Sequence, residues 1–262
     1  TERLASNGVW LISHEYGNSS FWSFPITSMG IGQPVITSIG SDHSFTNPSQ
    51  TEGYMKMGPL GNVAVALGSP GSNNWLEVFD FDNATGILSN YRMVDLNESA
   101  GQVYGVEFSP GGNKLFATVK GSPTPSFIYE YSIDSVTQLH FKQKVSQPQE
   151  LGALQIGPDG QIYMAVNGSS SLGLILANED TTQLSTFNLA GFALAGGTNS
   201  TLGLPSFAQS TGSPLTTPGM SVAGFCFGTP MDYAAIPSDP IDTFLWGFGD
   251  GATSDLQMGQ HL

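Results

Sequence analysis

The chain is short of cysteine, of positive charge and of long apolar runs, and each shortage closes off a class of function. One cysteine, Cys226, in 262 residues excludes an internal disulfide framework and a thiolate-built zinc site; it reads as a small buried hydrophobe. Seven Lys and Arg stand against 21 Asp and Glu, a formal charge of -14, so the field repels phosphate backbones and nucleic acid is excluded as a partner. No apolar run approaches the roughly 18–20 residues of a membrane-spanning helix, so direct membrane insertion is not expected. No basic-then-apolar leader follows Thr1, and the chain is expected to be a piece of a longer protein whose targeting signals lie outside it.

What the sequence does have is turn chemistry. Gly 33 and Pro 16, with only 11% charged residues, suit many short strands joined by tight turns. Three segments superimpose: Tyr54–Ala66 (YMKMGPLGNVAVA), Gly105–Ala117 (GVEFSPGGNKLFA) and Ala153–Ala165 (ALQIGPDGQIYMA), with Pro59, Pro110 and Pro158 spaced 51 and 48 residues apart. Each is an alternating strand, a Pro-x-Gly turn and an apolar strand, the pattern of a hairpin. Asn7–Ser13 matches the turn and second strand of an earlier copy whose first strand is expected to be missing. A third strand with apolar residues two apart follows each time (Phe21–Phe24, Val78–Phe81, Ile128–Tyr131, Leu172–Ile175), and then a more polar fourth (Gln33–Ile36, Ser89–Met93, Leu139–Lys142, Leu184–Phe187).

Four strands per unit of about fifty residues is the pattern of a propeller blade. The expected fold is all-β: an incomplete β-propeller over residues 1–208, a polar linker over 209–220 and, over 221–262, the first part of an immunoglobulin-like sandwich. Leu202–Ala208 reads as the start of one more blade.

The sandwich expectation rests on Trp246-Gly-Phe-Gly-Asp-Gly-Ala-Thr-Ser254, which resembles the PKD domain's Trp-x-Phe-Gly-Asp-Gly strand and turn. His261 falls near the family histidine, with Met258-Gly259 where proline is usual. The order of phrases Trp10–Glu15, Gly53–Lys56, Phe79–Gly86, Tyr104–Pro110, Gly152–Gly160 and Gly203–Phe207 resembles large surface proteins of Bacteroidota, in which a propeller precedes PKD domains. That resemblance implies a secreted protein at the outer surface of a Gram-negative cell. It also implies export as cargo of the type IX secretion machinery, a role in adhesion or gliding, and a sorting domain beyond Leu262. Asp134-Ser-Val136 and Asp180-Thr-Thr182 resemble the O-glycosylation signal of that group, which makes Ser135 and Thr181 candidate acceptors.

Catalytic motifs are scarce. Gly219-Met-Ser-Val-Ala-Gly224 has the wrong spacing for a nucleophile elbow, and His14-Glu15 lacks the second histidine of a zincin. His14 and Glu15, at the end of an expected inner strand, are candidate ligand-facing residues, as is Trp75 after the expected exposed loop Gly71-Ser-Asn-Asn74. The acidic turn Asp80–Gly86 invites a calcium reading, but Ala84 stands where an EF-loop ligand is needed, so turn chemistry explains it and no cofactor is expected. The resulting expectation is a non-catalytic binding, adhesion or display module with a surface glycan or protein ligand. The alternative is a propeller-type hydrolase or lactonase with its site at the central channel.

Overall fold

The computed structural model describes residues 2–4, 8–43, 52–68, 74–96, 101–121, 125–134, 138–205, 219–223, 230–236, 245–248 and 250–261. Ser135, Cys226, the loop residues 71–73 and linker residues 209–218 lie outside the described residues. Contacts divide the chain into two units, Thr1–Gly212 and Ser213–Leu262.

Every regular element among the described residues is a strand. The first sheet holds β1 (Glu2–Leu4), β2 (Gly8–His14), β3 (Ser20–Thr27), β4 (Gly30–Ile31) and β5 (Val35–Ser38). Three four-stranded antiparallel sheets follow. They are β6 (Met55–Met57), β7 (Asn62–Gly68), β8 (Asn74–Asp82) and β9 (Ile87–Asp95); then β10 (Gln102–Phe108), β11 (Lys114–Lys120), β12 (Ser126–Ile133) and β13 (Leu139–Gln147); then β14 (Leu151–Ile156), β15 (Ile162–Val166), β16 (Ser171–Leu176) and β17 (Thr186–Ala193). In all three the strands pair in chain order, as in β-propeller blades.

The first blade departs from expectation in one respect: it does have its first strand. Glu2–Leu4 pairs with β2, Glu2 opposite Trp10 and Leu4 opposite Gly8. Three residues are too few to show the alternation by which a strand is read from sequence. The outer strand of this blade is split because Pro25 in β3 has no N–H for the ladder. β4 pairs beyond Pro25 and β5 before it.

Each Pro-x-Gly turn ends on a glycine at positive φ, Gly61 (79°), Gly112 (78°) and Gly160 (75°), which a β-carbon would strain. The hairpins they close bury both faces. Phe21 and Trp10 pack on Val63 and Phe79 between the first and second blades. Leu76 and Val78 meet Val106 and Leu115 between the second and third, and Phe116 and Ile128 meet Leu154 and Ile162 between the third and fourth.

The first strands of successive blades approach more closely than side chains allow. Tyr54 donates its backbone N–H to Tyr104 O of the third blade at 2.9 Å, and Ala153 of β14 donates to Leu202 O, in the segment that follows β17, at 2.7 Å. Between them the Thr118 hydroxyl donates to Gly152 O at 2.6 Å. A β-carbon on Gly105 would stand 2.5 Å from Gly152 O, and one on Gly152 would stand 2.2 Å from Leu202 O. Outside this inner edge, Asn74 bridges to Gly101 O and Val103 N, and Ser126 makes the corresponding bridge to Gly121 N and Leu151 N.

The second unit holds β18 (Gly219–Ala223), β19 (Met231–Ile236), β20 (Trp246–Gly247), β21 (Thr253–Ser254) and β22 (Met258–His261), with β19 between β18 and β22, and β20 paired to β21. Buried Tyr233 packs on Trp246 and Phe248, ring centroids 4.8 and 5.1 Å away. Phe248 stacks on His261, whose Nε2 lies 2.9 Å from Asp250.

Gly152→Ala places its new methyl group against backbone that has no side-chain rotamer to yield. It is expected to destabilise the protein by about 2 kcal/mol or more, read as a lowered Tm; an unchanged Tm contradicts the close-packed inner edge.

Candidate functional site

The inner edge carries two polar groups of residues, one above the other. At the end where first strands begin and second strands finish lie Glu52 and Tyr54 of the second blade with Tyr104 and Lys120 of the third. Backbone pairing of Tyr54 with Tyr104 sets their rings 5.5 Å apart, edge to face. The Lys120 ammonium sits 4.6 Å over the Tyr104 ring and 3.4 Å from the Glu52 carboxylate, and Gln102 donates to Glu52 O. Glu52 keeps 55% of its side chain exposed while Lys120 keeps 16%, so the carboxylate meets solvent and the ammonium is held from behind. Burial, with Tyr54 and Glu52 nearby, pushes the Tyr104 hydroxyl above its ordinary value, keeping it a neutral donor. The Tyr54 hydroxyl reaches Leu204 on the far side of the fourth blade's first strand.

Below this mouth is a buried file. Lys56 lies 5.5 Å under the Tyr54 ring, 3.2 Å from Glu107 and 2.5 Å from Gln155 Oε1. Glu107 also accepts from Phe108 N and Ile156 N. A buried charge survives only when paired and hydrogen-bonded, and this one is. The file ties three blades together and supports the floor of the mouth.

The residues singled out from the sequence fall elsewhere. His14 is the last residue of the second strand of the first blade and Glu15 follows it directly. His14 turns toward the second blade, stacked on His43 at 3.4 Å between centroids, while Glu15 accepts from Trp22 Nε1 at 3.4 Å. His43 is bonded to Glu77 at 2.9 Å, and Glu77 also accepts from Ser41 and Tyr91. His14 Nε2 is buried without a hydrogen-bond partner. This cluster joins two blades and does not reach the mouth residues.

Trp75 is corrected from an exposed loop to the second residue of β8, packed against the core between the first two blades. The apolar alternation of β8 extends further back than the Gly-Ser-Asn-Asn turn signal suggested. Thr181 lies half-exposed in the turn between β16 and β17, where Asp180 accepts from Thr182. In the acidic turn, Asp82 accepts from Ala84 N and Thr85 Oγ1, and Asp80 pairs with Arg92 at 2.7 Å. Among the described residues no group of three His, Cys, Asp or Glu side chains is arranged to hold a metal ion.

Sequence reasoning missed Glu52, Tyr54, Tyr104 and Lys120 as a group. A usable signal existed for the file beneath them: Lys56, Glu107 and Gln155 each stand three residues before a repeat proline, a polar residue recurring at one position of an otherwise apolar strand.

No protein-family model matches the chain, and no curated protein matches its sequence. Solved structures do match. A proposed 6-phosphogluconolactonase from Bacteroides fragilis has TM-score 0.51 at 12% identity, covering 98% of this chain and 68% of that one. The periplasmic gluconolactonase of Pseudomonas aeruginosa has TM-score 0.51 at 13% identity, covering 96% and 67%. A Lactobacillus plantarum protein has TM-score 0.50 at 17% identity, covering 94% and 67%.

At these identities the likeness shows the propeller fold. It also corrects the expectation of a non-catalytic binding and display module, because propellers of this build include proteins named as lactonases. The expectation rested on the repeat, the PKD-like continuation and the lack of a catalytic motif. A propeller collects its site from the edges of several blades, so no linear motif is required.

Burial, with the neighbouring His43, pulls the His14 imidazole down from 6.5 to about 4. Between those values the unfolded chain binds the proton and the folded chain does not, so stability present above pH 6.5 falls as pH drops through that window. Urea-unfolding free energies at pH 7 and 4.5 should therefore differ, and His14→Phe should shrink the difference. An equal pH slope in wild type and variant contradicts this role.

Proposed function

We propose that the protein is a propeller-type lactonase acting at the axial mouth on neutral sugar lactones. The observation that carries this reading is the solvent-open Glu52 carboxylate held beside the Lys120 ammonium and two phenols at the inner edge. The fold shared with proteins named as lactonases supports it.

In this reading the lactone ring lies against Tyr54 and Tyr104 with its carbonyl toward Lys120. Glu52 takes a proton from water as the water oxygen bonds to the carbonyl carbon, and Lys120 stabilises the oxyanion that forms. Collapse breaks the bond from the acyl carbon to the ring oxygen, which takes the proton back from Glu52, leaving the open hydroxy acid. A net charge of -14 and a mouth whose ammonium is already paired favour an uncharged substrate over a phosphorylated one.

The full-length protein should open glucono-δ-lactone faster than its spontaneous hydrolysis, followed by proton release with a pH indicator. Glu52→Gln should lower kcat by about 100-fold or more with little change in KM. Wild-type protein that gives no acceleration over the spontaneous rate overturns the proposal.

We also propose that the second unit is the opening of a PKD-type sandwich in a protein exported by the type IX machinery to the outer cell surface. Support for the sandwich comes from the packing of Tyr233 with Trp246 and Phe248, and from the Asp250–His261 pair; the export reading rests on the sequence resemblance alone. Fractionation that finds the protein in the cytoplasm of wild-type cells contradicts it.

A further inference from the structure

The first and fourth blades are apolar on both faces. In the first blade, one face carries Trp10 and Phe21 into the seam with the second. The other sets Leu11 opposite Phe24 and Trp22 opposite Ile36, with the Trp22 and Phe24 rings stacked 6.2 Å apart; Leu11 is 42% and Ile36 51% exposed. The fourth blade repeats this. Leu154, Ile162 and Ile175 meet the third blade, and on the reverse Tyr163 lies opposite Leu174 with its ring edge-on to Phe192 at 5.6 Å; Leu176 and Phe192 are 52% and 49% exposed. A sheet that meets water on one side alternates apolar with polar residues, and a sheet covered on both does not. Contiguous apolar faces of this kind are seldom left open to solvent.

The segment after β17 shows what belongs against the fourth blade. Ala153 N donates to Leu202 O as Tyr54 N donates to Tyr104 O one seam earlier. Ser200 accepts from Val166 N through its hydroxyl at 3.2 Å and from Gly168 N through its carbonyl at 2.9 Å, at the place where Asn74 and Ser126 bridge the preceding seams. Residues 200–204 thus hold the innermost-strand place of a fifth blade, yet among the described residues no strand pairs with them.

The missing strands are not the next ones in the sequence, because β18 pairs with β19 in the second unit. A second copy of these residues does not supply them either: β1, β6, β10 and β14 already head the four blades, so none is short of its first strand. The Bacteroides and Pseudomonas propellers extend further, since this chain spans only 68% and 67% of them.

We propose that residues 200–204 are the innermost strand of a composite fifth blade, completed by three strands from this polypeptide outside residues 1–262, and that a blade from the same source covers the Leu11–Ile36 face of the first. Both apolar faces then become seams like the three between blades one to four. The proposal does not depend on lactonase activity.

Hydroxyl-radical footprinting of the full-length wild-type protein, read by mass spectrometry at single residues, tests it without any variant. Leu60, a turn leucine 63% exposed, and Leu115, wholly buried, set the two ends of the scale. Leu11 and Leu176 should lose their reactivity to the level of Leu115, in protein that sedimentation shows to be a monomer. Modification of either at the rate of Leu60 overturns the proposal. Protection found only in an oligomer and lost on dilution to monomers also overturns it, since the cover is then a second copy.

Discussion

The close approach of the first strands is the constraint on which the rest of the first unit depends. The backbone donor at Tyr54 reaches a carbonyl of the next blade and that at Ala153 reaches Leu202 O in the segment after β17, and Gly105 and Gly152 leave no room for a β-carbon. With the inner edge fixed at hydrogen-bond distance, the wedge between neighbouring blades widens outward. That wedge is filled by apolar side chains from both sheets, one shared core per pair of blades. The same bonds fix the mouth: Tyr54 and Tyr104 face each other because their backbones are joined.

Scarce positive charge is the second organising fact. Of the seven cations in the sequence, Lys56, Arg92, Lys114 and Lys120 each stand against a carboxylate. Lys114 is wholly buried at 2.6 Å from Glu130 and also donates to Gln183 O, while Ser185 and Gln143 fill the remaining acceptor sites of Glu130. Breaking such a pair leaves an uncompensated charge in a low-dielectric interior, which costs about 3–5 kcal/mol. Lys114 therefore locks the third blade to the loop before β17. Lys120 is different in kind, being partly open and paired with a carboxylate that faces water.

The architecture was legible in the sequence because a hairpin repeats. Aligned prolines, glycine turns and alternating third strands led to the four-stranded blades without any tertiary information. What stayed hidden was short or interrupted: the three-residue β1, the outer strand broken around Pro25, and the early start of β8 that draws Trp75 into the core. The candidate site was illegible for a different reason. Glu52, Tyr54, Tyr104 and Lys120 come from two blades and three strand ends, and each is an ordinary residue in its own stretch. His14 stands out in the sequence because His-Glu is a conspicuous pair, yet its environment is set by His43 and Glu77, which no local pattern connects to it.

In the lactonase reading the inner edge of the first unit binds a lactone against the two phenols, next to Glu52 and Lys120. A crystal structure of the full-length protein with the lactam analogue of gluconolactone, which resists hydrolysis, tests it most directly. The lactam ring should lie against Tyr54 and Tyr104, with its carbonyl oxygen in hydrogen-bond reach of Lys120 and a water between its carbonyl carbon and Glu52. A lactam bound elsewhere, with the mouth residues untouched, would contradict it.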